Sequence, residues 1–221
     1  MTRDLNGKKI VVVGATGVLG AEISSQLKSM GTTVCAVVRN GDRLDSSITE
    51  YATADITDNF ALRNAFATLA PFDGVINAAG VVAFGTLAEL DDVTLTNLFA
   101  INAIAPLVML RESSPHISAG GFFLNISAVV ALSPLSGMAA YSASKAGGWA
   151  GMVGATRELR RQKIDVIDAR PPHTETGLAT RPIAGEAPKL PDGLEPAFVA
   201  ARIIEAIQSG ENDLPAEAFN K

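Results

Sequence analysis

Five short apolar runs, rich in β-branched residues, alternate with longer segments of helical spacing, and this alternation constrains the fold more than any other feature of the chain. The runs lie at 8–13 (KKIVVV), 33–38 (TVCAVV), 74–79 (GVINAA), 121–127 (GFFLNIS) and 165–169 (DVIDA). They are nearly continuous in apolar residues, as strands covered on both faces have to be. Helical segments fall between them at about 17–30, 58–70, 86–112 and 140–162, and a last one, PAFVAARIIEAIQSG, stops at Gly210, the residue type that ends helices. Strand and helix in alternation imply right-handed crossovers and a doubly wound, parallel α/β sheet, in one domain spanning 1–221. Any final strand has to be short and lie in or near NDLPAEAFN.

Of the 221 residues, 48% are hydrophobic and 19% charged, which is ample apolar surface for a core. Eighteen basic against 23 acidic residues leave a net charge of -5 with no Lys/Arg block, so the electrostatic footprint of a nucleic-acid binder is missing. Cys35 is the one cysteine, and His116 and His173 lie far apart, so neither an internal disulfide nor a metal centre is expected. The opening stretch MTRDLNGKKIVVVGATG has charges on both sides of its apolar residues and lacks the apolar core of a signal peptide. The longest lipid-compatible run, LFAINAIAPLVML at 98–110, is short for a bilayer and contains Asn102 and Pro106. A cytoplasmic protein with no membrane or nucleic-acid partner is the expectation.

One segment breaks the alternation. Residues 171–196, PPHTETGLATRPIAGEAPKLPDGLEP, are rich in proline and glycine and have no hydrophobic period. They read as a long loop, and loops of that length in compact domains are often lids over active sites; a surface loop without function is the other reading.

After the first run comes GATGVLG, with Gly14, Gly17 and Gly20, opening directly into a helical pattern. Glycines there let the backbone turn tightly and let a pyrophosphate approach the helix N-terminus, where free N–H groups favour negative charge. The second run ends VVRN: Val38 stands where a site for NAD places an acid on the ribose 2′-hydroxyl, and Arg39 follows. An arginine suits a 2′-phosphate, so NADP(H) is favoured over NAD(H), with an ordinary surface arginine as the alternative. Cys35, in mid-strand, reads as a small buried apolar residue.

The stretch AAYSASKAG, 139–147, places Tyr141 and Lys145 one helical turn apart on the same face. A phenol titrating near 10 is a poor acid or base at neutral pH, and a nearby ammonium favours the phenolate, which brings its pKa toward the working range. An exposed Tyr-Lys pair at a helix start has the same spacing.

Taken together, VVVGATGVLG, DITD (55–58), NAAG (77–80), FAIN (99–102), FLNISA, YSASK and RPP with a following Thr resemble, in order and spacing, the short-chain dehydrogenase/reductase family along nearly the whole chain. The resemblance implies a Rossmann-type domain, hydride transfer with a nicotinamide cofactor and a catalytic group of Asn, Ser, Tyr and Lys. Carried onto this sequence, Tyr141 is the general acid/base, Lys145 lowers its pKa and holds the nicotinamide ribose, and Asn102 orders a water in the proton relay. Gly14, Thr16, Gly17, Val18, Leu19 and Gly20 match the pyrophosphate loop, Asp55 and Ile56 the adenine side, Asn77, Ala78, Ala79 and Gly80 the stretch behind the ribose, and Thr176 the carboxamide contact.

The sequence departs from that family in three places. The glycines run G-x-x-G-x-x-G rather than G-x-x-x-G-x-G. The serine usually thirteen residues before the tyrosine is replaced by Ala128, leaving Ser127 as the expected donor to a substrate carbonyl, with Ser133 and Ser136 as lesser stand-ins. Pro172 follows Pro171 where glycine is common, and His173 is either a substrate contact or a loop residue. Gly147, Gly151 and Ala155 form a small-residue stripe; in the family the equivalent long helices pair between subunits, which implies a homodimer or homotetramer, and burial within one chain is the alternative. The expected activity is NADPH-dependent interconversion of a small-molecule carbonyl and an alcohol, and the reading from another class is an NADPH-binding sensor or scaffold with little chemistry.

Overall fold

A computed structural model describes residues 2–220. Seven strands form one sheet in the order β3-β2-β1-β4-β5-β6-β7, all paired parallel. They are β1 (Lys9–Val13), β2 (Thr33–Val38), β3 (Tyr51–Thr53), β4 (Phe72–Asn77), β5 (Ile117–Ile126), β6 (Asp165–Ala169) and β7 (Asp213–Leu214). Helices α1 (Val18–Ser29), α2 (Asn59–Leu69), α3 (Asp92–Phe99), α4 (Ala105–Ser113), α5 (Ala139–Leu159) and α6 (Pro196–Ser209) make the crossovers. Because β1 has β2 on one side and β4 on the other, the winding reverses at β1, and the crevice beyond its C-terminal end is where sheets of this kind take ligands.

The pleat sends alternate residues of each strand to opposite faces. On one face Ile10, Val12, Ile76, Leu124 and Ile167 pack with Ile23 and Leu27 of α1 and Val199, Ile203 and Ile207 of α6. On the other, Val11, Val13, Val75, Phe123 and Val166 meet Leu62 and Phe66 of α2, Met109 of α4 and Met152 of α5. Each fully buried Leu, Ile, Val or Phe stabilises the fold by about 1.5–3 kcal/mol, so these two layers hold the sheet flat against its helices. Cys35 lies in the second layer, and burial first, then the neighbouring Glu50, pushes its thiol up to about 12, so it is a packing residue.

The structure adds β3, which has no apolar run: Tyr51 and Thr53 are exposed because only the edge of the sheet passes there. It also divides the helical stretch expected at 86–112. Residues 92–113 are helical throughout, but Ala100–Ile104 form a π turn between α3 and α4. The whole stretch Asp92–His116 is long and apolar enough to cross a membrane, with a mean hydropathy of 1.8 in its most apolar window, which revises the expectation drawn from 98–110 alone; half of that window is buried inside the protein.

Glycines of α5 approach the preceding helical segment closely. A Cβ on Gly148 would stand 2.5 Å from the Asn102 carbonyl oxygen, one on Gly151 would stand 2.4 Å from Leu107 Cδ2, and one on Gly147 would reach 3.3 Å from Ala103 Cβ. Gly147 and Gly148 let α5 lie directly on the π turn, and Gly151 lets it approach α4. The loop 171–196 is tied down along its length, beginning with Val129 N–H donating to Pro171 O at 3.2 Å. Leu194 N–H donates to His173 O at 2.8 Å and Glu175 N–H to Leu194 O at 3.0 Å, closing its base. Ile183 N–H donates to Val82 O at 2.8 Å and Phe84 N–H to Ala184 O at 3.0 Å, strapping its middle across the segment that follows β4.

Gly148→Ala tests the close approach of α5 to the π turn. The backbone contact cannot yield as a flexible side chain does, so urea unfolding should show a loss of about 1–3 kcal/mol, whereas Gly154→Ala, with nothing within 4 Å of its added Cβ, should be neutral or slightly stabilising.

Candidate active site

The phosphate-loop residues stand at the C-terminal end of β1. Gly14 has φ +83, and a Cβ there would press on the backbone of Ala78 and Ala79 at 3.0–3.2 Å; a Cβ on Gly20 would overlap the Gly14 carbonyl oxygen at 2.3 Å. Gly17 caps α1 in an extended conformation with no side-chain hydrogen bond at the cap, so the first N–H groups of the helix face outward past Thr16, exposed Gly17 and Val18 and half-buried Leu19. That is a donor-lined cradle fit for a phosphate. Neighbouring strand ends complete the row. Arg39 is exposed after β2, and Asp55 follows β3, which pairs with β2 through Val38 and Thr53. Asp55 accepts from Thr57 N–H and Oγ1 at 2.9 and 2.7 Å; these bonds first, and the Arg39 charge less strongly, hold its carboxyl below the usual range. Ile56 packs against the core beneath. Asn77 Oδ1 accepts from Ala79 N–H at 3.1 Å and Ala78 N–H donates to Val13 O at 2.9 Å, so the NAAG stretch lies beside the glycine loop.

The expected catalytic residues converge at the base of α5. Gly80 marks the point: a Cβ there would lie 3.1 Å from Lys145 Nζ and 3.3 Å from Asn102 Oδ1. Asn102, on the π turn, accepts from Val81 N–H at 3.1 Å and donates to Val81 O at 2.9 Å and to Ser144 Oγ at 3.1 Å. Its side chain therefore fastens the loop after β4 to α5. Lys145 is buried and donates to Ile126 O at 3.1 Å. Tyr141 is 7% exposed within an apolar cluster of Val82, Phe84, Leu98, Val130 and Met138, which Leu178, Ala179 and Ala184 of the long loop cover.

Electrostatics in this cluster differ from the sequence expectation. Burial pushes the Tyr141 phenol up rather than down, because the ring sits among apolar side chains. Burial lowers Lys145 to about 8, against a smaller opposing effect of Asp168.

Ser127 is buried and donates Oγ to Asp168 Oδ1 at 2.5 Å, so its proton is spent on that carboxylate instead of pointing into the apolar cluster; Ala128, next along, is the residue that packs there. Thr176 lies in the covering loop, its Oγ1 accepting from Leu178 N–H at 3.4 Å. His173 Nε2 lies 3.3 Å from Glu175 Oε1, a pair internal to the loop. Asp168, Arg170 and Asn125 were not singled out from sequence; an acid in a strand buried on both faces was the available signal.

This arrangement defines a doubly wound α/β domain in which Tyr141, Lys145 and Asn102 lie near the glycine-rich turn after β1. A family model described as short chain dehydrogenase matches residues 8–186. The chain belongs to the short-chain dehydrogenase/reductase family of oxidoreductases. Among its relatives is an uncharacterized oxidoreductase of Methylorubrum extorquens, 28% identical over 197 residues, which are 82% of this chain and 79% of that protein. Another is a 3-oxoacyl-(acyl-carrier-protein) reductase of Rickettsia conorii, 27% identical over 164 residues; the match spans 71% of this chain and about two thirds, 66%, of the reductase. In fold, the chain superposes with a TM-score of 0.86 on a short chain dehydrogenase from Burkholderia cenocepacia solved in complex with NADP, 24% identical, covering 98% of this chain and 91% of that one.

Lys145 should leave a mark on stability as a function of pH. Its folded value of about 8 lies below the value of about 10.4 in an unfolded chain, so between those pH values the unfolded state binds more protons and stability rises with pH. Wild type should gain on the order of 3 kcal/mol relative to Lys145→Met between pH 7.5 and 10.5 in denaturant titrations. Parallel curves for the two proteins would show that Lys145 titrates in the folded state as it does in water.

Proposed function

We propose that the protein is an NADP(H)-dependent oxidoreductase that reduces a small to medium apolar ketone or aldehyde, or oxidises the corresponding alcohol. The observation that carries this reading is the convergence of Tyr141, Lys145 and Asn102 beneath an apolar roof and next to a glycine cradle. A phenol held above its ordinary value is protonated at neutral pH, so Tyr141 is set as an acid, which suits the reductive direction. The nicotinamide, when bound, supplies hydride to the carbonyl carbon. Tyr141 Oη gives its proton to the carbonyl oxygen, and the Lys145 ammonium beside it offsets the negative charge left on the phenol. Gly14, Thr16, Gly17, Val18, Leu19 and Gly20 would hold the pyrophosphate, Asp55 and Ile56 the adenine, Asn77 to Gly80 the ribose, and Thr176 the carboxamide.

Arg39 supports the choice of NADP(H): it is an exposed guanidinium at the strand end where the ribose 2′-position falls in this fold, with no acid at Val38. The Burkholderia protein of the same fold was solved with NADP. The apolar lining around Tyr141 supports an uncharged substrate. Pairing into a dimer through α4 and α5 is supported by the exposure there of Leu107 at 40% and Val153 at 52%.

Parallel titration with NADPH and NADH, followed by absorbance assays on a panel of ketones and aldehydes, tests the reading. Arg39→Ala should weaken NADPH binding by about tenfold while leaving NADH within about twofold, as loss of a charge-assisted bond worth about 1.5–3 kcal/mol allows. Tyr141→Phe should lower kcat by about 100-fold or more with NADPH affinity nearly intact. Tight NADPH binding without turnover of any carbonyl would favour the sensor reading, to which the engagement of Ser127 by Asp168 would then point.

A further inference from the structure

The sheet face beneath α5 changes character at its C-terminal edge. Val75, Phe123 and Val166 are apolar; one pleat further on the same face, Asn77, Asn125 and Asp168 stand side by side in register. Asn77 Nδ2 donates to Asn125 Oδ1 at 2.9 Å, and Asn125 Nδ2 donates to Asp168 Oδ2 at 2.9 Å. Both amides thus turn their N–H ends toward Asp168, an orientation that favours negative charge there. Asp168 Oδ1 accepts from Ser127 Oγ at 2.5 Å and from an Arg170 NH group at 3.3 Å. The carboxyl is 3% exposed, and burial raises its pKa, against opposing effects of the Ser127 and Asn125 hydrogen bonds and of the Arg170 and Lys145 charges.

Two cations face it, Lys145 from α5 and Arg170 from the end of β6. Arg170 has a second acid, Asp213 of β7 at 2.6 Å, and stacks on Trp149 at 5.8 Å. Lys145 has Asn102 of the π turn and Tyr141 of its own helix nearby, both uncharged, and Asp168 is the acid that acts on it. The amide row, Ser127 and Arg170 hold the carboxylate in place, and a buried ammonium without such a charge would shed its proton.

We propose that Asp168 is a positioning residue of the site, whose carboxylate is the buried counter-charge that keeps Lys145 an ammonium and the acceptor that fixes the Ser127 hydroxyl. This rests on the reading of Tyr141 and Lys145 as the proton-handling pair. Through Lys145 it governs how readily Tyr141 gives up its proton, without touching the substrate. It also accounts for Ala128: the site keeps a serine in the adjoining position and uses it to hold the acid.

The test is NMR of protein labelled with 13C at the lysine Cε and aspartate Cγ positions, titrated from pH 6 to 11, with the Lys145 signal assigned by its loss in Lys145→Arg and the Asp168 signal by its loss in Asp168→Asn. In Asp168→Asn the Lys145 midpoint should fall by about one pH unit or more, and in Asp168→Glu it should stay near the wild-type value. The alkaline limb of kcat for carbonyl reduction should move the same way. An unmoved Lys145 midpoint in folded Asp168→Asn overturns the proposal. In wild type alone, the Asp168 Cγ signal should shift through the Lys145 step; a flat signal across that step overturns it whether or not the variant folds. Because these signals need no turnover, a coupled pair in a protein that reduces no carbonyl would sink the proposed activity and leave the counter-charge standing, and turnover with an uncoupled pair would do the reverse.

Discussion

The clamp between Asn102 and Val81 is the contact on which the arrangement of the site depends. One side chain satisfies both the N–H and the C=O of a loop residue and still donates to Ser144 on α5. Three segments far apart in sequence are thereby set at fixed distances: the loop that ends β4, the π turn, and the helix that carries Tyr141 and Lys145. Removing the clamp would leave the half-buried N–H and C=O of Val81 without their partner, at up to about 1–3 kcal/mol each, so the geometry is specified. The π turn presents Asn102 at this place, and the missing side chain of Gly148 lets α5 come within reach of it.

Around that clamp, polar and apolar surroundings divide the work. Tyr141 lies in an apolar cluster, and burial there keeps its proton on; Lys145 lies against the polar edge of the sheet, where carbonyl, amide and carboxylate groups offset the cost of burying an ammonium. The two residues are one helical turn apart, yet one faces the cover formed by the long loop and the other faces the strand ends. The loop contributes the cover because it is strapped to the segment after β4 by two backbone hydrogen bonds, so the chain that forms the site's wall also anchors its roof.

Much of the fold was legible in the sequence because strands buried on both faces have to be apolar almost throughout, and such runs stand out. The edge strand β3 was not, since a strand with one neighbour and exposed side chains has no such requirement. The phosphate loop and the Tyr141–Lys145 pair were legible because each is a local arrangement. Ser127 was legible as a residue near the site and not as a partner of Asp168, because that bond joins the residue after β5 to β6, 41 residues on in sequence. The glycine stripe pointed to a close approach of α5, and the contacts of Gly147 with Ala103 and of Gly151 with Leu107 come from helix packing that no local pattern encodes.

The sequence by itself determined the doubly wound sheet and the family, and it singled out the glycine turn and the Tyr141–Lys145 pair, because periodicity, glycine spacing and the i, i+4 pair are properties of neighbouring residues. Only the tertiary structure decided the charge states those residues favour and the partners they hold. Desolvation and hydrogen bonding depend on what lies across the sheet from Tyr141, Lys145 and Ser127, and that is set by strand register and helix packing, which no local pattern encodes.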